Sequence, residues 1–499
     1  MSTTAYQHGA NAIRSQSVVS AVAEATTAPV IVGTAPVNLV RNFTNLINKP
    51  IRLADVGAKS IVGYSDDWES FTLSETISAH FSNPRGNVGP IYVINVLNPA
   101  VHRKEEQTTK SLTFVGGKAF IESDKIIIDT FTLTDKTEGT DYNLSYNFYT
   151  GKLAITSANP DQKLTGTIEA KYYEVDPSLV TADDIIGGKT AAGVYTGLGV
   201  VELIYPELNV ITSYLAAPKW SSVPEVYEAL CDKAQSINKH WYAMVFADIP
   251  VKQGNTAIDT IALAESWKSE HAFNSEYSKV FWPMAKTSSG EIYHISSLAL
   301  VEQLRNNEEH DGVPMESCSN NVIAVSAQYF GAGSSNQGFD QADGNLLNSV
   351  GITTAVAWGG QIVLWGPHTA AFYAGEDGKA PEALDPIAIF DVNMLMQMHI
   401  MNHFQADHGR EVDEPMTIGL RDSILEAEQQ KLDALVAEGA LIGTPTIVFL
   451  ETENSVSDMI NGNFTWNISD TPTPPAKHLV AKVAYTDAGF SAFFGNEEG

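Results

Sequence analysis

Two histidines four residues apart are the first groups in this sequence that could do chemistry. In His399-Ile400-Met401-Asn402-His403, followed by Asp407 and His408, the i, i+4 spacing puts both imidazoles on one helix face, as a zinc site requires. The glutamate that acts as base in the His-Glu-x-x-His pattern is missing, because Ile400 holds its place. Two histidines on a part-exposed helix flank are the plainer reading. Asp248 is the second candidate, ending an apolar run just before Ile249-Pro250, where α/β enzymes often carry an acid. No histidine, lysine or second carboxylate is arranged near it in sequence, and capping a helix or forming a turn needs no catalysis. The chain has no phosphate-binding loop of the Gly-x4-Gly-Lys-Ser/Thr type, no Gly-x-Gly-x-x-Gly opening a helix, and no Gly-x-Ser-x-Gly elbow. Tyr146, Phe148, Tyr172 and Tyr173 fall in a strand-rich stretch, where aromatics serve cross-strand packing more often than a ligand. The residues predict no enzyme, no cofactor and no metal.

Composition narrows the class further. A chain of 499 residues exceeds one compact core, so two to four domains are expected. Hydrophobic residues at 44% predict packed cores rather than disorder. Acidic residues (59) outnumber basic ones (30), for a net charge of -29. Such a surface repels phosphate backbones, which argues against nucleic-acid coating, and keeps a concentrated subunit soluble. Cys231 and Cys318 are far apart, without metal-ligand spacing, which suits a reducing compartment. No run of eighteen apolar residues predicts a membrane span, and Met1-Ser2-Thr3-Thr4-Ala5-Tyr6 lacks the start of a secretory signal. Synthesis in the cytoplasm is the expectation.

The elements that would position these residues alternate between strand and helix. Residues 28–35 predict a buried strand ending in a glycine turn. Leu73, Ile77 and Phe81 mark one face of a helix over 71–81, with Thr72 or Ser74 as its cap, and 91–96 is a strand buried on both faces. From Pro99 to about Gly188 the texture changes to short β-rich runs at 111–115, 119–121, 125–133, 142–148, 152–156 and 166–175, with Thr150-Gly151 as a hairpin turn. These predict an inserted β-rich domain. Alternation then resumes: a helical turn at 198–203, strands at 210–212, 242–248, 278–282 and 360–365, and helices at 223–239, 256–271, 296–305 and 345–350. Helices over 387–404 and 418–438 follow, the second stopped by Gly439, then a strand at 446–450. Pro472, Pro474 and Pro475 lead into 478–485, where Leu479, Ala481, Val483 and Tyr485 alternate like one isolated strand.

Several stretches together resemble the contractile-tail sheath family of phages, R-type bacteriocins and related injection systems. They are Ala28-Pro29-Val30-Ile31-Val32-Gly33-Thr34-Ala35; Thr72 to Phe81 with Ile91-Tyr92-Val93-Ile94-Asn95-Val96; and Val245-Phe246-Ala247-Asp248-Ile249-Pro250 with Ser278-Lys279-Val280-Phe281-Trp282-Pro283. The most specific is Asn345-Leu346-Leu347-Asn348-Ser349-Val350-Gly351-Ile352 leading to Val363-Leu364-Trp365-Gly366-Pro367-His368-Thr369. His368 stands where the family usually has arginine, and Thr353 where asparagine often follows Gly-Ile.

The resemblance implies an α/β multidomain fold: an α/β sheath domain over 27–98 and 191–375, a β-rich outer domain inserted at 99–190, and an inner α/β domain over 376–471. Extended arms would occupy 1–26 and 472–499. It implies a structural subunit, not an enzyme, that stacks as hexameric rings around a tail tube and contracts to drive the tube through a cell envelope. The partners implied are further copies of itself, the tube, the baseplate and the tail terminator, with neither nucleic acid nor membrane insertion. The product would be made in the bacterial host cytoplasm and assembled into a virion tail or tail-like particle. The arms would complete β-sheets in neighbouring subunits through Ile13, Val18, Val19 and Val22 at one end and Leu479, Val480, Ala481, Val483 and Tyr485 at the other. An unpaired strand leaves its N–H and C=O groups without partners until it joins a sheet edge. The acidic flank Glu426, Glu428, Asp433 and Glu438 would face the tube or simply be solvated. Two rival readings are a non-contractile surface or structural protein, or adhesin, and an α/β metalloenzyme using His399, His403 and Asp407.

Overall fold

The computed structural model describes residues 26–494. Its centre is an eight-stranded sheet built from β1 (Thr26–Gly33), β2 (Pro50–Leu53), β3 (Ile91–Asn95), β4 (Val210–Ala216), β5 (Met244–Asp248), β6 (Ser278–Phe281), β7 (Ile352–Trp358) and β8 (Gln361–Trp365). The order is β2-β3-β1-β4-β5-β6-β7-β8. The six strands from β3 to β7 run parallel, and β2 and β8 close the two ends antiparallel. Parallel strands covered on both faces are mostly apolar, and every residue of β3, β5 and β6 is buried, including the polar Asn95, Asp248, Ser278 and Lys279. The β1–β4 register slips by one residue between Ala28 and Pro29, where proline cannot donate to the ladder.

Seven helices matter below: α1 (Thr72–Phe81), α2 (Pro224–Ala234), α3 (Ile261–Glu270), α4 (Ile295–Glu309), α5 (Gln341–Asn348), α6 (Asp391–His408) and α7 (Ile418–Glu438). Helix α1 packs on β1 and α4, α4 on β5 and β6, and α2 on β4 and β5. Neither Thr72 nor Ser74 caps α1. Phe71 is the boundary residue, and the Thr72 hydroxyl instead accepts the Thr34 N–H at 3.2 Å, tying the helix to the end of β1. Helix α2 stops well before residue 239, because Asn238 and Lys239 turn left-handed (φ 52° and 69°) to bring Ile237 against Trp241. Helix α3 starts at Ile261, capped by the Thr260 hydroxyl, and the residues before it form a small hairpin about Gly254. Beyond 387–404, the helix begins at Asp391 and continues to His408.

Between β3 and β4 lie two three-stranded antiparallel sheets. One pairs Thr108–Phe114, Gly166–Tyr172 and Thr132–Leu133, the other Lys118–Glu122, Lys152–Ser157 and Tyr142–Asn147. They enclose a core of their own that includes Leu112, Ile121, Phe131, Leu153 and Tyr172. The run expected as one strand over 125–133 is interrupted by a 3-10 turn, Ile128–Thr130, and only Thr132–Leu133 joins the sheet. Asn38 joins this core to the α/β body by donating its side-chain amide to the carbonyls of Asp124 and Ile126, each at 2.9 Å.

The last part of the described chain holds α6, α7 and an antiparallel pair of short strands, Thr446–Val448 and Asn467–Ser469. Met396, Ile400, Leu432, Leu441 and Ile447 pack between them. Pro472 bridges to Leu441, after which residues 473–486 carry no regular structure.

Candidate assembly site

Helix α6 fixes the geometry of the C-terminal strand pair. Its first residue, Asp391, is buried and takes the Lys279 ammonium from β6, while Ser317 donates to it at 2.7 Å. A carboxylate in the first turn also suits the positive end of the helix dipole. Further along, the Asn402 side chain accepts the Tyr242 N–H at 3.0 Å and donates to the Tyr242 carbonyl at 2.8 Å, while Gln405 donates to the His240 carbonyl at 2.8 Å. Helix α6 is thus fastened to β6 at one end and to the segment leading into β5 at two further places.

Helix α7 is fastened to α6 by an ionic cluster. His408 lies between Glu411 (2.7 Å) and Glu428 (2.8 Å), and Lys431 reaches Asp407 (2.7 Å) and Glu428. The hydrogen bond that His408 donates to Glu428, with Glu411 adding to it, raises the His408 pKa above the usual histidine value despite partial burial. Glu428 is only 4% exposed, so it cannot belong to an outward acidic flank, and that expectation is corrected. Glu426, Asp433 and Glu438 do lie on the exposed side of α7. Asp407 and His408 are drawn into this cluster, whereas His399 and His403 face each other with ring centroids 4.1 Å apart. Burial, then the neighbouring His403, lowers the His399 pKa to about 3. Among the described residues no group of three or more His, Cys, Asp or Glu side chains is placed to hold a metal ion.

Asp248 is a helix cap. Its carboxylate accepts the Ser296 N–H at 3.1 Å and the Ser296 hydroxyl at the start of α4. Glu75 does the same two residues earlier, accepting the His294 N–H (2.8 Å), the Ser297 hydroxyl (2.8 Å) and the His294 ring (2.8 Å). Burial raises the Asp248 pKa. For His294, burial alone would lower it, but Glu75 and then Asp248 outweigh this and hold it at about 9. Two carboxylates on one buried helix N-terminus satisfy its free N–H groups. His368 is structural as well: it stacks on Phe372 at 3.6 Å and on Phe390 at 5.1 Å, and its Nδ1 meets the Ile389 carbonyl at 2.7 Å. Burial lowers its pKa to about 3, so this histidine is a neutral aromatic plate.

The strand pair is where the fold is left open. Gln429 of α7 accepts the Ile447 N–H at 3.3 Å and donates to the Pro445 carbonyl at 3.0 Å, covering the outer side of Thr446–Val448. Among the described residues, the outer edge of Asn467–Ser469 pairs with no further strand. Leu479, Val480, Val483 and Tyr485 are exposed, at 83%, 68%, 93% and 85%. Residues 479–485 therefore do not form a strand within the single chain, and Ala481 is likewise exposed. Ile13, Val18, Val19 and Val22 lie outside the described residues. Sequence reasoning overlooked the receiving side, although Trp466 and Ile468 alternate with Asn467 and Ser469 as a half-buried strand should.

No protein-family model matches the chain. Its fold is found in chains of contractile assemblies. A chain in the baseplate of the anti-feeding prophage superposes with a TM-score of 0.55 at 14% identity, covering 97% of this chain and 99% of that one. The contracted helical sheath of the same particle gives 0.54 at 14%, covering 97% and 100%. The contracted PVC sheath complex of an extracellular contractile injection system gives 0.51 at 11%, covering 98% and 100%. In sequence, the chain is 26% identical over 497 residues to the tail sheath protein of Burkholderia phage BcepMu, spanning 96% of this chain and 97% of that protein. In sequence and in fold alike, the chain is similar over nearly its whole length to contractile tail sheath proteins, the family that its motifs resemble.

Proposed function

We propose that this chain is the structural subunit of a contractile tail sheath. Copies stack as hexameric rings around a tail tube and contract to drive the tube through a cell envelope. One observation carries this reading: a strand-forming tail with exposed apolar side chains coexists with a two-stranded sheet whose Asn467–Ser469 edge is open. Strand addition from a second copy satisfies both, giving the tail its backbone partners and covering the edge. The prolines at 472, 474 and 475 keep the connector extended. The N-terminal residues 1–26 act as the opposite arm, and the β-rich sheets between β3 and β4 face outward. Glu426, Asp433 and Glu438 form the acidic flank of α7 toward the tube, without Glu428. Contraction is a rigid-body rearrangement with the arms as hinges. It uses no cofactor and no catalysis, and the baseplate and terminator bound the polymer at its ends. The subunit is made in the bacterial host cytoplasm and works in the assembled tail. No described helix is long and apolar enough to cross a membrane.

Deleting residues 472–499 tests this. The truncated chain is expected to fold and stay soluble but to form no tubes by negative-stain microscopy and sedimentation. Tubes of normal length would overturn strand exchange. Leu479→Asp and Val483→Asp change side chains that are exposed in the single chain, so they leave its stability within about 0.5 kcal/mol while weakening assembly.

A further inference from the structure

An open cleft of about 470 Å³ lies between α6 and the strand Asn467–Ser469. Ile400, Met401 and Phe404 line one side and Trp466 and Ile468 another, while Lys239, His240, Gln397, Gln405 and Asp470 make the rest of the wall polar. The volume falls in the range of about 300–1,000 Å³ that binding clefts occupy. At the far end of the tail, Ala488–Phe494 forms a 3-10 turn that presents Phe490 (57% exposed) and Phe493 (82% exposed), their rings stacked 6.1 Å apart. Aromatic rings are among the strongest anchors in protein interfaces when a pocket receives them.

We infer that this cleft seats the Phe490–Phe493 end of a second copy's tail, with the two phenyl rings against Trp466, Phe404 and Ile400. The inference rests on the strand-exchange reading above. The five residues from Tyr485 to Phe490 span at most roughly 17 Å. A strand added at Asn467–Ser469 therefore keeps the rings within roughly 17 Å of its end, within reach of the cleft. The chain's own tail is directed elsewhere: after the Pro472–Leu441 bridge, Lys477 sits 5.4 Å over the Phe372 ring on the α/β body.

The test measures the critical concentration for tube formation by full-length chains, using sedimentation. Phe490→Ala combined with Phe493→Ala is expected to raise it about tenfold or more, and Met401→Trp, which fills the cleft from within, to do the same. An unchanged critical concentration in the double alanine variant overturns the inference. If that variant assembles normally while the 472–499 deletion does not assemble, the aromatic seat fails and strand exchange stands. If the deletion assembles normally, strand exchange itself fails. Mixed polymers of one preparation bearing Phe493→Cys and another bearing Met401→Cys should form disulfides between copies on oxidation, since Cys231 and Cys318 are buried. A chain carrying both substitutions that closes its own disulfide at high dilution overturns the inference, because the occupant is then its own tail.

Discussion

Replacing Lys279 by methionine tests what holds the C-terminal helices to the sheet. Lys279 is 0% and Asp391 1% exposed in side chain, so neither charge reaches water. The ammonium donates to Asp391 and to the Gly366 carbonyl at 2.6 Å. Without it, Asp391 keeps only the Ser317 hydroxyl and the Val392 N–H, each at 2.7 Å. Breaking a buried pair from one side leaves an uncompensated charge and costs about 3–5 kcal/mol. For a body this large, at about 2 °C per kcal/mol, the melting temperature should fall roughly 6–10 °C. The assay is calorimetry of the full chain kept below its polymerisation concentration. Adding Asp391→Asn to Lys279→Met removes the stranded charge and should recover about half of the loss. A fall of less than about 2 °C, or a double variant no more stable than Lys279→Met alone, would refute the argument.

Two more outcomes follow from buried groups. The His294 pKa stands at about 9, above its unfolded value of 6.5; the stability from its pairing with Glu75 and Asp248 is full below pH 6.5 and lost as pH rises through 9, up to about 3 kcal/mol. Melts at pH 6 and pH 9.5 should differ more for the native chain than for His294→Gln, and equal differences would rule the pairing out as the source. Gly351 has φ +69°, and a Cβ there would lie 2.6 Å from the Phe372 carbonyl oxygen. Gly351→Ala should therefore cost at least about 2 kcal/mol in chemical denaturation, against about 1 kcal/mol for Gly359→Ala, whose Cβ meets nothing.

Local pattern was enough where one element carries its own start, period and stop. Helix α7 shows this, with the Thr417 hydroxyl accepting the Leu420 N–H, apolar residues at helical spacing, and Gly439 left-handed at its end. The almost continuous apolar runs of β3 and β5, each broken only by its last residue, were equally readable. Strand β7 was not, because Thr353 and Thr354 look polar in sequence; the fold buries them, and Thr353 donates to the Gly366 carbonyl. Strand β2 is four residues led by a proline, too short to announce itself. The inward position of Glu428 was legible after all, since Ile424, Glu428 and Leu432 recur every fourth residue on the buried face. No local signal joins Glu75 to His294, which meet across 219 residues of chain. The assembly site divides the same way: the alternation at 479–485 is visible in the letters, whereas the uncovered edge at Asn467–Ser469 exists only once α7 has covered the other one.

The reciprocal bond between Asn402 and the Tyr242 backbone has a mechanical consequence. An asparagine amide that both donates to and accepts from one residue's main chain imitates a rung of β-ladder, so α6 is coupled to the sheet much as another strand would be. With Lys279–Asp391 at one end of the helix and Gln405–His240 near the other, a pull on the tail meets several bonds loaded at once instead of one peeled after another. Tension entering at residue 472 would then turn the α/β body as a stiff lever, and little of the motion would be lost as bending between its parts.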